Sequence, residues 1–160
     1  MKLSKMAAVV ADEVSELSCV VIPLENAQLL LPNVCVAEIL PWRRVKMLSE
    51  TPPWCLGLLG WRGEMVPVVR FETLNGKPGD ARRQGRCMVV MNRARQAKGL
   101  PFYALAAEGL PRLVQLTAED LSNESCRLGP AESVVVKLGT ETAVIPNLDV
   151  LETAVAKLLR

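Results

Sequence analysis

The apolar residues of this chain come in short runs, and no run is long enough for more than one strand. L-S-C-V-V-I-P-L at Leu17–Leu24, Met65–Val69, Arg86–Met91, Leu100–Ala107 and Ser133–Leu138 are each of strand length. Turn formers separate them at intervals of about ten residues. Glu25-Asn26, Arg62-Gly63, the Asn-Gly and Pro-Gly pairs within Leu74–Asp80, and Gly139-Thr140 are the clearest. Eight to ten short strands with two or three short helices is the expectation, which is an all-β barrel or pair of barrels. Two hairpin-rich halves would meet near residues 75–85. With 160 residues, half of them hydrophobic and 22% charged, the chain can bury a core without staples.

Taken in order, residues 1–16 are expected to be a flexible tail, and 17–160 one folded domain of two lobes. Leu17–Leu24 and Ala27–Leu31 form a hairpin. Pro32 is expected to open a short helix to Leu40, since proline is favoured in a first turn and Val34, Ile39 and Leu40 could share a face. Leu113–Leu116 is a further strand. Thr117 then caps a short helix whose Glu119 and Asp120 complement the helix dipole. Ser133–Leu138 and Glu141–Pro146 make the last hairpin. Asn147–Leu159 closes the chain as an amphipathic helix with Leu148, Leu151, Val155, Leu158 and Leu159 as its apolar stripe.

Chemistry is sparse. The chain has no histidine, which removes His-based zinc sites and Ser-His or Cys-His catalysis. Its five cysteines, Cys19, Cys35, Cys55, Cys87 and Cys126, are odd in number and widely spaced, as expected of buried small hydrophobes in a reducing compartment. The longest uncharged stretches, Asn26–Ala37 and Thr51–Trp61, are too short for a membrane span and carry proline. The expected location is the cytoplasm. Glu119-Asp120 is not a catalytic pair, because sequence neighbours on a helix point apart. An enzyme built on Cys87 or Glu119 has no further support. No cofactor or metal site is expected. The Arg82–Lys98 region is basic, with Phe102 and Tyr103 beside it, so a regulatory nucleic-acid-binding barrel is the alternative. Basic hairpin tips are usually solvated faces.

The stretch Thr51–Phe71 is the most distinctive. Pro52 and Pro53 pre-set an extended backbone, Gly57, Gly60 and Gly63 follow, and Pro67 sits within an apolar run. Gly63 can take the positive φ that a tight turn demands. Arg62 puts an always-charged guanidinium at that turn.

These residues resemble the CheW-like domain, the coupling adaptor of bacterial chemosensory arrays. That family's pattern is G-[VI]-[IV]-N-L-R-G-x-[IV]-[VLI]-P-[VI]-[VI]-D-L after a proline. Gly57, Arg62, Gly63, Pro67, Val68 and Val69 match it. Val36–Leu40 resembles its V-x-E-V segment, with Glu38 at the glutamate. Ala107-Glu108-Gly109-Leu110 is similar to V-D-[GE]-V, with Glu108 where aspartate is usual. Leu116-Thr117-Ala118-Glu119 resembles a recurrent turn-and-helix start, and Asn147–Leu151 the closing L-D-x-x-x-L element. Three positions depart: Gly60 and Trp61 stand for Asn-Leu, and Arg70 for Asp.

The resemblance covers about Leu17 to Leu151. It implies two small five-stranded β-barrels sharing a hydrophobic core. It implies a non-catalytic adaptor that joins the cytoplasmic tip of a chemoreceptor to the regulatory domain of a histidine kinase, working at receptor arrays without entering the membrane and without nucleic acid. The apolar Leu29–Leu31, Trp61 and the short chain look more like accessory members from type IV pilus (twitching-motility) systems than the main flagellar adaptor. The partner-binding candidates it yields are Arg62, Glu38, Trp61, Gly57 and Gly63. Arg62 either contacts a partner carboxylate or carbonyl, or bonds loop carbonyls to hold the turn. Glu38 either contacts a partner or caps its helix neighbourhood. Trp61 belongs to the core or to an exposed hot spot. Gly57 and Gly63 are expected to serve backbone conformation.

Overall fold

The computed structural model describes residues 16–77, 83–92 and 102–158. Residues 1–15 of the expected tail, Arg82, all of the Asn92–Gly99 turn beyond Asn92, and Leu159 lie outside them. The elements are β1 (Leu17–Pro23), β2 (Gln28–Pro32), β3 (Val36–Pro41), β4 (Cys55–Trp61), β5 (Glu64–Val69), α1 (Phe71–Leu74), β6 (Cys87–Met91), β7 (Tyr103–Ala107), β8 (Arg112–Leu116), β9 (Ser122–Asn123), β10 (Glu132–Leu138), β11 (Glu141–Pro146) and α2 (Leu148–Leu158). Two sheets result. One has six strands in the order β8-β1-β2-β11-β10-β9, and the other five in the order β3-β6-β7-β5-β4. The mostly-β architecture of two small units is as the sequence implies. The sixth strand of the first sheet is the two-residue β9.

Continuous apolar runs form strands here because both faces of each sheet are covered. In β6, Cys87, Val89 and Met91 enter a central core while Met88 and Val90 enter the interior of the five-stranded sheet. In β1, Val20 and Ile22 take the central core while Cys19 and Val21 face the interior of the six-stranded sheet. The central core therefore lies between the sheets. Helix α2 seals it with Leu151 and Val155, both fully buried. The Asn147 side chain accepts the backbone N–H of Val150 at the start of that helix, 3.2 Å. Tyr103 is buried under it, and its hydroxyl donates to Glu152 Oε2 at 3.1 Å. Pro67 is tolerated in an interior strand because β7 pairs with β5 only at Val68 and Val69.

The expected helix Pro32–Leu40 is not formed. A 3-10 turn, Asn33–Cys35, leads straight into strand β3. Its pairing partner is β6, from Val36 opposite Met91 to Pro41 opposite Cys87. The backbone N–H of Asn92 bonds Cys35 O at 2.9 Å, and its side chain bonds Val34 O, which pins the turn. Val34, assigned to an apolar face, is 79% exposed. The glycine-rich Gly57–Gly60 stretch lies within strand β4, and Trp42–Leu48 holds one bridge residue, Lys46, opposite Leu58.

Candidate functional site

The five-stranded sheet ends at β3 on one side and β4 on the other. Side chains draw these two edges together. Trp61, at the end of β4, donates its indole N–H to Glu38 Oε1 on β3 at 2.9 Å. Arg62 Nη2 donates to the same oxygen at 3.1 Å. The Arg62 guanidinium also lies over the Trp61 ring, 4.7 Å from its centroid, within cation–π range. Three of the five sequence candidates are thus one cluster, built from segments more than twenty residues apart.

Each member has a local cause. Trp61 is buried at 4% exposure, with Phe102 edge-to-face at 4.9 Å and 67°. It belongs to the core by its rings and to the surface by its N–H. Arg62 and Gly63 are the two turn residues of the β4–β5 hairpin, both with positive φ, 46° and 78°. That matches the hand of turn a tight hairpin prefers. Arg62 is exposed at 67%, and Glu38 at 36%. Arg62 therefore bonds a carboxylate across the seam rather than loop carbonyls. Since Glu38 stands in a strand, it caps no helix.

Gly57 sits at a register shift in β4 with φ 140°. A Cβ there would fall 2.4 Å from the Lys46 carbonyl oxygen. That close approach lets Lys46 and Leu58 exchange backbone hydrogen bonds, both 2.8 Å. Gly57 thus allows the Lys46 segment to pair antiparallel beside β4, and it is a shape residue at a distance from Trp61 along the same strand.

A second charged cluster was not foreseen. Arg70, the residue at the family's aspartate, is 3% exposed, and its Nη1 meets Glu108 Oε1 at 2.6 Å. It also donates to the Arg83 carbonyl, while the Arg83 side chain bonds Glu108 and reaches Glu25 at 3.4 Å. Glu108 in turn donates its backbone N–H to Pro23 O, 2.9 Å. The network ties β5, β7 and the segment before β6 to the β1–β2 turn. The charge reversal at Arg70 is matched by Glu108 thirty-eight residues on. The Arg70 departure is its one sign in the sequence.

Other candidates find structural places. Cys87 is buried, its thiol donates to Gly109 O, and burial raises its pKa. Glu119 is exposed in the 3-10 turn Ala118–Asp120, where the Asp120 carboxylate accepts the Thr117 N–H at 2.7 Å and hydroxyl at 3.0 Å. Those bonds hold Asp120 below the usual carboxylate range. Among the described residues no group of three or more His, Cys, Asp or Glu side chains could hold a metal ion. No helix among them is long and apolar enough to cross a membrane. Of the basic stretch, Arg83 is committed to Glu108 and Glu25, and Arg93, Arg95 and Lys98 lie outside the described residues. Leu29, Leu30 and Leu31 are wholly buried between two cores, so their low polarity follows from packing.

Residues 18–155 match the family model of the CheW-like domain. No curated protein sequence matches the chain. Among solved structures, the crystal structure of the scaffolding protein TtCheW from Thermoanaerobacter tengcongensis is similar with a TM-score of 0.65. The likeness covers 81% of this chain and 88% of that one at 15% identity, and at that identity it speaks for the fold.

Proposed function

The chain belongs to the CheW-like domain family, and we propose from that membership that it is a non-catalytic adaptor joining a chemoreceptor's cytoplasmic tip to the regulatory domain of a histidine kinase. The family match across residues 18–155 is the observation that carries this. The Glu38–Trp61–Arg62 cluster supports it, as a hydrogen-bonded patch at a strand seam that presents an exposed guanidinium. Arg62 offers a planar fork of five N–H donors. One bond to Glu38 leaves most of that fork for a partner's oxygen atoms. The adaptor acts in the cytoplasm at receptor arrays, in chemotaxis or, as the Trp61 departure favours, in the twitching-motility branch.

Capture experiments with a receptor-tip fragment and a kinase regulatory domain from the same genome test the reading. Arg62→Glu is expected to leave the unfolding midpoint near wild type, since Arg62 is exposed, and to weaken capture of at least one fragment. Unchanged capture of both removes Arg62 from the interface. Deletion of the gene tests the pathway: loss of twitching with swimming intact supports the pilus branch, and the reverse contradicts it.

A further inference from the structure

Arg62 is exposed, yet its surroundings leave it little freedom. Glu38 Oε1 accepts two hydrogen bonds, one from Trp61 Nε1 and one from Arg62 Nη2. The carboxylate is therefore held by the indole before it meets the guanidinium. The indole ring also supplies the face on which the guanidinium rests. The indole in turn is fixed in the core by Phe102 and by its own burial. Order passes from the interior of the five-stranded sheet to Trp61, from Trp61 to Glu38, and from both to Arg62. Leucine, the residue in the family pattern at this position, could fill the same core space. It has no N–H for Glu38 and no π face for the guanidinium.

We infer, resting on the adaptor reading above, that Trp61 is a positioning residue that holds the Arg62 fork ready for a carboxylate on the docking partner. A planar fork with fixed orientation suits the bidentate geometry of a carboxylate. Ordering a long side chain in advance spares that loss on binding. Removing the device should weaken binding about fivefold, the scale of immobilising one rotamer-rich side chain.

The test is a cycle of four proteins: wild type, Trp61→Phe, Arg62→Ala and the double variant. The probes are the receptor-tip fragment and the kinase regulatory domain, with affinity measured by titration. Trp61→Phe keeps a ring in the core and removes the N–H. It is expected to weaken binding when Arg62 is present and to change nothing further once Arg62 is alanine. Equal loss in both backgrounds overturns the inference, because Trp61 then acts without Arg62. No loss from Trp61→Phe while Arg62→Ala weakens binding also overturns it and leaves the adaptor reading standing. If Arg62→Ala leaves both affinities unchanged, the docking role of this site fails and the inference falls with it. Nitrogen-15 relaxation of the Arg62 Nε–H in the wild-type protein gives an answer that needs no variant. Restricted motion is expected, and motion as free as that of exposed Arg43 or Arg44 contradicts the inference.

Discussion

Removing the Glu108 carboxylate should destabilise the fold far more than a surface ion pair would. Arg70 is 3% exposed, so Glu108→Ala leaves a buried guanidinium without its carboxylate, with the Arg83 carbonyl among the acceptors it keeps. Breaking a buried pair from one side costs about 3–5 kcal/mol. The retained carbonyl bond and the partial exposure of Glu108, 15%, favour the lower end, about 3 kcal/mol. For a chain of this length that corresponds to a fall of roughly 10 °C in the unfolding midpoint. Two companions make the result diagnostic. Arg83→Ala removes a partner that is 42% exposed and should cost under about 1 kcal/mol. Arg70→Met combined with Glu108→Ala takes the buried charge away, so the double variant should be more stable than Glu108→Ala alone. Thermal and urea unfolding followed by circular dichroism would measure all four proteins. A Glu108→Ala loss below about 1 kcal/mol refutes the reasoning. So does a double variant no more stable than Glu108→Ala alone.

Gly57→Ala should lose about 1–3 kcal/mol through strained backbone, because its Cβ meets a main-chain carbonyl, whereas Gly63→Ala, with open space around it, should lose less; urea unfolding of the pair decides the order. Stability should also respond to Glu152. Burial raises its pKa, with Asp149 adding to the rise and the Tyr103 hydroxyl opposing it. The folded chain then holds that proton at pH values where the unfolded chain has released it. Stability from this group is complete below the ordinary glutamate range and falls as pH rises through the elevated folded value. Glu152→Gln should flatten that segment of a stability–pH profile, and an unchanged profile would contradict the assignment. A thiol reagent should modify exposed Cys126 quickly and Cys19 only on unfolding, since burial, with Cys35 adding to it, pushes Cys19 up to about 11; mass spectrometry of the partly labelled protein checks this.

Strands whose two faces are both buried were legible because the sequence carries unbroken apolar runs, as in Leu17–Pro23 and Cys87–Met91. Turn positions were legible from Gly63 and Gly139, both of which take positive φ. Strand β3 was not. Pro32 and the spacing of Val34, Ile39 and Leu40 suit a helix locally. The extended form wins because β6, some fifty residues on, supplies its hydrogen-bond partners. Strand β4 is hidden by two glycines, Gly57 and Gly60, of which Gly57 answers to the Lys46 main chain, a contact no local pattern encodes. The candidate residues were found through the family pattern, but their joining was not. Local patterning puts Glu38 on a helix, whereas its place in strand β3 lets its carboxylate meet Trp61 and Arg62. Arg70 was seen as a departure, and its compensation by Glu108 needed the fold.

The central claim is that one chain binds receptor and kinase together. The direct measurement immobilises the kinase regulatory domain and asks whether a labelled receptor-tip fragment is retained with and without this protein. Retention that depends on the protein and falls with Arg62→Glu is the expected result. A receptor fragment retained equally without it, or displaced from the kinase domain by it, would contradict the bridging role.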